Sequence, residues 1–174
     1  MQERTIFKES IFINQYEGDS DVIQSHVDHI VKFDKGRVIS NQGGYQSNDI
    51  TFGFQDLISF ALESLASIGE ETKLENFWLN INKGSDYNHP HIHDVSYWSA
   101  VYYHKVCCEK ATLNFHHLVP TIYSQRYSYI PKEKNIVFFK GAVAHSVSPC
   151  NEQNHERISI AFNFLRIKKE KIDD

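Results

Sequence analysis

After Glu71 the hydrophobic pattern of this chain switches from helical spacing to strict alternation and stays there. KLENFWLNINK, YWSAVYYHKV, ATLNFHHL, QRYSYI, NIVFFK, AHSVSP and RISIAFNFL are short, β-branched and aromatic, and separated by turn residues. Each such segment has one apolar face, and many of them in succession bury those faces by closing into a sandwich or barrel. Upstream the pattern differs. TIFKESIFIN, residues 5–14, reads as a first strand. Val22, Ile23, Val27, Ile30 and Val31 then recur at helical spacing behind Asp19 or Ser20, which predicts a capped helix over about 21–33. Residues 35–51 are rich in Gly, Asn, Ser and Asp and read as a loop. Phe54, Leu57, Ile58, Ala61, Leu62, Leu65 and Ile68 form the stripe of a second helix, which Gly69 closes. Helices first and strands afterwards give an α+β, mainly β chain with two N-terminal helices packed outside the sheet. We expect one domain over 1–174, its helical part at about 1–70 and its barrel core at about 73–166.

Bulk properties narrow the function classes. With 174 residues, 41% hydrophobic and 23% charged, the chain can bury a real core. A formal charge of −4 offers no general attraction for nucleic acid, so no nucleic-acid partner is expected. No apolar run approaches the ~20 residues of a membrane span, and MQERTIFKES lacks the apolar region of a secretory signal. The three cysteines form neither a disulfide framework nor a CxxC motif, and a reducing cytoplasm suits them. Of the ten histidines, seven fall between His89 and His145. That clustering of a common metal ligand calls for a chemical reading.

His91 and His93, in NHPHIH, share one side of an extended chain, and both can grip one ion if the strand end curls. His89 has the same parity but precedes Pro90, which suggests that the strand begins there and leaves His89 as a flanking residue. His145 follows the apolar NIVFFK and a glycine-containing turn, so it emerges at a strand mouth as a third ligand. Imidazole suits Zn, Cu, Fe and Ni alike. Iron oxygenases usually pair two histidines with a carboxylate, whose expected position holds His93, while Asp94 lies one residue further on.

Arg157 opens a strand with Ser159, Ala161 and Asn163 on one face and Ile158, Ile160, Phe162 and Phe164 on the other. A small, polar face opposite a bulky one fits a cavity wall backed by core. A guanidinium there could hold a carboxylate through paired hydrogen bonds, or pair with Glu156. Trp78, Asn80 and Asn82 likewise share a face, so they line a wet pocket or face solvent. One of Tyr102 and Tyr103 must point inward.

The run NINKGSDYNHPHIHDVSYWSAVYY, with FFKGAVAHSVSP and ERISIAFNF, resembles a family of 2-oxoglutarate- and Fe(II)-dependent oxygenases of bacteria and phages. NQGGYQSNDI at 41–50 is similar to that family's Gly-Gly-aromatic-Gln-Ser segment, so the resemblance spans roughly 41–165. It implies a double-stranded β-helix, or jelly-roll, with Fe(II) and 2-oxoglutarate as cofactors. The activity implied is hydroxylation of a small-molecule or peptide substrate, coupled to oxidative decarboxylation of 2-oxoglutarate to succinate. The metal ligands and catalytic centre would be His91, His93 and His145. Arg157 and Tyr103 would bind the far carboxylate of the oxoacid, with Asn82 and Asn163 as further cofactor contacts from strand parity. Two departures stand out: Ala100 replaces a usual glycine, and Asp94 replaces a common proline and could accept from a histidine N–H.

A cupin remains the competing reading. GSDYNHPHIH and FKGAVAH approximate its two motifs, but Ser96, Tyr97 and Trp98 stand where it adds a glutamate. A non-catalytic metal-binding accessory protein of a phage or bacterium is the third. A homodimer is compatible with all three.

Overall fold

The computed structural model describes residues 9–106, 108–117, 126–152 and 155–167. Its first elements are β1 (Phe12–Gln15) and α1 (Ser20–Phe33), where Asp19 caps the helix by accepting from the Asp21 and Val22 amides. The proposed strand over 5–14 is thus shifted toward the helix, and residues 5–8 lie outside the described residues. The stretch read as a loop carries two minimal strands, β2 (Asn41–Gln42) and β3 (Tyr45–Gln46). Helix α2 (Gln55–Ser67) follows, and Gly69 with φ 84° supplies the left-handed turn that ends it.

All remaining strands pair antiparallel. They are β4 (Thr72–Lys83), β5 (Tyr87–His91), β6 (Tyr97–Lys105), β7 (Leu113–His116), β8 (Arg126–Tyr129), β9 (Asn135–Lys140), β10 (Ala144–Val147) and β11 (Glu156–Arg166). Two sheets result, with strand orders β1-β9-β6-β11-β4-β3 and β2-β5-β10-β7-β8. Parts of the expected segments ATLNFHHL and QRYSYI fall on 118–125, outside the described residues. This is the mainly β architecture with two N-terminal helices that the alternation predicted, and its paired antiparallel sheets are those of a double-stranded β-helix.

The long strands of the larger sheet divide their side chains between two environments. Phe77 and Leu79 of β4, with Ile158, Ile160, Phe162 and Phe164 of β11, meet Ile23, Val27, Ile30, Leu57, Ala61 and Leu65 of the helices in one core. Ala100 belongs to that helix-side core, which is why a methyl group is accommodated there. The opposite face looks toward the smaller sheet. There Tyr103, Val137 and Phe139 pack with Leu113, Phe115 and Tyr129 in a second core. The space this second core leaves between the sheets becomes the pocket.

Candidate active site

Strand register fixes which side chains meet between the sheets. On β4 and β11, Arg157 pairs with Asn82, Ser159 with Asn80 and Ala161 with Trp78. On the smaller sheet His145 of β10 stands opposite His91 of β5. One pocket gathers these side chains with His93, Ser99, Tyr103 and Phe139. The two asparagines of β4 therefore line a pocket rather than solvent, and of the tyrosine pair it is Tyr103 that faces it. Tyr102 is buried on the helix side, its ring 5.7 Å from that of Tyr16.

The β5 strand departs from plain alternation. It does not begin at Pro90 but runs through it, and its register against β10 slips by one residue between His91 and Asn88. Such a slip turns the extra residue outward. His89 is consequently exposed, while Asn88 and His91 both reach the pocket. Proline tolerates this place because a bulge spares it a ladder donor.

His91, His93 and His145 bring their ring nitrogens within 4.8 Å of one another. Ring centroids are 4.3 Å apart for His91–His145, 5.1 Å for His93–His145 and 5.3 Å for His91–His93. Backbone carbonyls set the tautomers. His91 Nδ1 lies 2.7 Å from the His89 carbonyl, and His145 Nδ1 lies 2.9 Å from that of Val143. A carbonyl can only accept, so each Nδ1 carries the proton and each Nε2 presents its lone pair inward. Residue 93 sits beyond the end of β5, where its amide donates to the Gly141 carbonyl at 2.8 Å. Its ring is sandwiched between those of His145 and Trp78, the latter 5.9 Å away.

Burial keeps these rings uncharged. Desolvation, then the neighbouring His91, pushes His145 down to about 3. The same two causes bring His93 to about 4, and desolvation lowers His91 against a smaller opposing effect of its carbonyl bond. Three neutral imidazoles converging on one point are a ligand set for a divalent transition metal, and the cluster fits a facial triad with His93 in the carboxylate's place. Asp94 does not enter it. Its carboxylate is spent locally on the amide and hydroxyl of Ser96, and carbonyls already hold His91 and His145.

The other wall carries the cation. Arg157 is 2% exposed and donates to the Asn82 amide oxygen at 2.8 Å and the Ala111 carbonyl at 3.1 Å. Glu156, the alternative partner, faces outward and pairs instead with Lys83 and Lys105. Tyr103 is buried beside this wall, and desolvation raises its hydroxyl well above the usual tyrosine range, so it remains a hydrogen-bond donor. Asn163 is the exception among the expected contacts. Its amide accepts from Ser99 and donates to Asn76 across β6, β11 and β4, outside the pocket lining. Strand parity put it on the right face, but two residues too far along.

Several contributors escaped the sequence reading, among them Ser40, Gly141 and Ala111. Ser40, which accepts from the Asn88 amide at 3.1 Å, comes from a segment without periodicity. Gly141 and Ala111 act only through backbone oxygens, which no residue type advertises.

A sequence profile described as "Putative 2OG-Fe(II) oxygenase" matches residues 76–163, half of the chain, with all of β6 and β10 and most of β4 and β11. The chain belongs to this oxygenase family. Fe(II) and 2-oxoglutarate are the cofactors of the family, and the cupin resemblance falls away. No curated protein sequence matches the chain. Among solved structures it is similar to a prolyl-4-hydroxylase from Pseudomonas putida, with TM-score 0.61, 15% identity and coverage of 92% of this chain and 94% of that one. The viral collagen prolyl hydroxylase of Paramecium bursaria Chlorella virus-1 gives TM-score 0.62 and 16% identity, covering 91% and 96%. HygX from Streptomyces hygroscopicus, solved with nickel and 2-oxoglutarate bound, gives TM-score 0.68 and 9% identity, covering 90% and 83%. At these identities the likeness speaks for the shared fold. Among the described residues no helix is long and apolar enough to cross a membrane.

Proposed function

We propose that this oxygenase hydroxylates a C–H bond of a small-molecule or peptide substrate. His91, His93 and His145 would hold Fe(II) through Nε2. Arg157 and Tyr103 would hold the far carboxylate of 2-oxoglutarate, and Asn82 would keep the guanidinium aimed into the pocket. Together, Fe(II) and 2-oxoglutarate supply oxidative decarboxylation to succinate and insertion of one oxygen atom of O2 into the substrate.

The protein's own contribution is orientation and electrostatics. The carbonyls of His89 and Val143 hold two imidazoles in one tautomer, so no proton has to leave Nε2 when a metal arrives. Phe139, with its ring 4.6 Å from that of His145, and Trp78 beside His93 keep water from the ligand rings. The neutral triad brings one negative charge fewer than a two-histidine, one-carboxylate site. Fe(II) is therefore held less tightly here than by such a site. The observation that carries this reading is one pocket that joins three neutral imidazoles to a buried arginine on the facing wall.

Anaerobic titration of the Fe(II)-loaded protein with 2-oxoglutarate tests it, read by the weak visible charge-transfer absorption of a metal-chelated oxoacid. The band should appear in the native protein and vanish in His145→Ala. Arg157→Lys, which keeps the charge but not the fork of donors, should weaken oxoacid binding by on the order of tenfold or more. Iron-loaded protein with no band would leave a metal-binding protein without this cosubstrate.

A further inference from the structure

Behind Arg157, away from the triad, lies a cluster of sulfur, imidazole and carboxylate that this chemistry does not use. Cys108, just past β6, is bonded to Cys150, just past β10, across a sequence separation of 42. The sequence reading expected no disulfide, because cysteine spacing does not reveal that two distant turns end side by side. Cys107 lies outside the described residues. Cys150 Sγ is 3.4 Å from His155 Nδ1, which is itself 3.3 Å from a Glu152 carboxylate oxygen. Glu152 also binds Lys110, on the turn that carries Cys108, at 2.7 Å.

We propose that the Cys108–Cys150 bond is a reversible redox site, and that it governs how firmly Arg157 is held for its carboxylate ligand. The proposal rests on the oxoacid reading of Arg157. A permanent cross-link has no use for an imidazole N–H oriented at its sulfur by a carboxylate, whereas exchange needs a thiolate, and such a donor stabilises one. The link to Arg157 is short. The turn that begins at Cys108 provides the Ala111 carbonyl that accepts from Arg157. Ser148, on the Cys150 side, donates to the Thr112 carbonyl at 3.0 Å, and Ala111, Cys150, Asn82 and Arg157 line one small cavity. With the sulfurs bonded, the turn is pinned and Ala111 stays on the guanidinium. With them reduced, what remains among the described contacts includes hydrogen bonds and the exposed Lys110–Glu152 ion pair, which are weaker restraints.

The oxidant that fits is a hydroperoxide. The Cys150 proton goes to water, the Nδ1–H of His155, oriented by Glu152, stabilises the thiolate left behind, and the thiolate attacks the distal peroxide oxygen. The O–O bond breaks to release water, or an alcohol, and leaves a sulfenic acid. The Cys108 thiol then displaces its oxygen as a second water, and the two sulfurs have together given up two electrons. A dithiol reverses the step through a mixed disulfide and becomes a disulfide itself.

The test uses full-length Cys107→Ser protein, which leaves one thiol pair, loaded with Mn(II), a hard metal that avoids thiolates. Stoichiometric hydrogen peroxide should remove two titratable thiols, and dithiothreitol should restore them. By calorimetry the oxidised form should bind 2-oxoglutarate about tenfold more tightly than the reduced form, the loss expected when one charge-assisted hydrogen bond is no longer held in place. A Cys150→Ser change in that background should bind as the reduced form does, whatever the oxidant. His155→Gln should slow disulfide formation while leaving the oxidised form's affinity unchanged. Equal affinity in both redox states would overturn the coupling. Thiols that resist peroxide, or that carry a zinc ion released on thiol modification, would overturn the redox site. No 2-oxoglutarate binding in either state, in protein that holds Mn(II), would sink the oxoacid reading itself and this inference with it.

Discussion

Metal-free protein should become less stable in mild acid because of the triad, and His145 sets a magnitude. It is 5% exposed and pushed down to about 3 in the folded chain, mainly by desolvation and next by His91. In the unfolded chain a histidine titrates at about 6.5. Between these values the unfolded state binds more protons than the native state, so stability falls as pH falls. The contribution of neutral His145 is complete above about pH 6.5, and it drains away as pH drops toward the folded value. At pH 5, some 1.5 units below the unfolded value, the loss is about 2 kcal/mol. His93, pushed down to about 4, adds a similar amount. Carboxylates held low by hydrogen bonds, such as Asp34 and Glu156, enter only nearer their own range of about 4, so pH 5–7 isolates the imidazoles. His91, His104 and His116 are also lowered, so the decisive quantity is a difference between proteins. Urea unfolding with a chelator present, at pH 7, 6 and 5, should show the native chain losing about 2 kcal/mol more than His145→Gln over that span. Parallel pH profiles would refute the claim that His145 is buried neutral.

Three further outcomes follow from particular contacts. A Cβ at Gly141 would run into the backbone oxygen of Asp94 and within 3.2 Å of Tyr97, so Gly141→Ala should displace His93 and weaken metal binding by about tenfold, measured by competition with a chelating dye. Asp19→Ala removes the cap of α1 and should cost about 1 kcal/mol in urea unfolding, without touching metal affinity. Reducing the Cys108–Cys150 bond releases a loop of 42 residues' separation, and chain entropy puts the loss at about 4 kcal/mol, read as a fall in denaturant midpoint with dithiothreitol.

The parts of this protein legible in the sequence were those written in side-chain alternation. The split of β11 into Arg157, Ser159 and Ala161 against Ile158, Ile160 and Phe162 follows from period two alone, as does the Trp78, Asn80 and Asn82 face of β4. Alternation says which face, but not how far along it a pocket reaches, and Asn163 fell past its end. It also assumes an unbroken ladder. The slip at Pro90 exchanged His89 for Asn88, and only the register against β10 reveals it. Contributions made by peptide oxygens, at His89, Ala111, Gly141 and Val143, leave no trace in residue identity. The sulfur bridge depended on where two turns end in space, which no local pattern encodes.

His91 and His145 face each other across paired strands, whereas His93 lies beyond the strand, where its amide bonds Gly141 and its ring stacks on Trp78 and His145. Two arms of the triad are therefore clamped, and the third is hinged. Metal release should begin with His93 swinging out, which would leave a bound ion with two protein ligands and open to water and chelators. Dissociation rates, more than capture rates, should then respond to changes at Gly141 and Trp78, and stopped-flow chelation would resolve the two. If both rates shift together, the hinge is not where exchange starts.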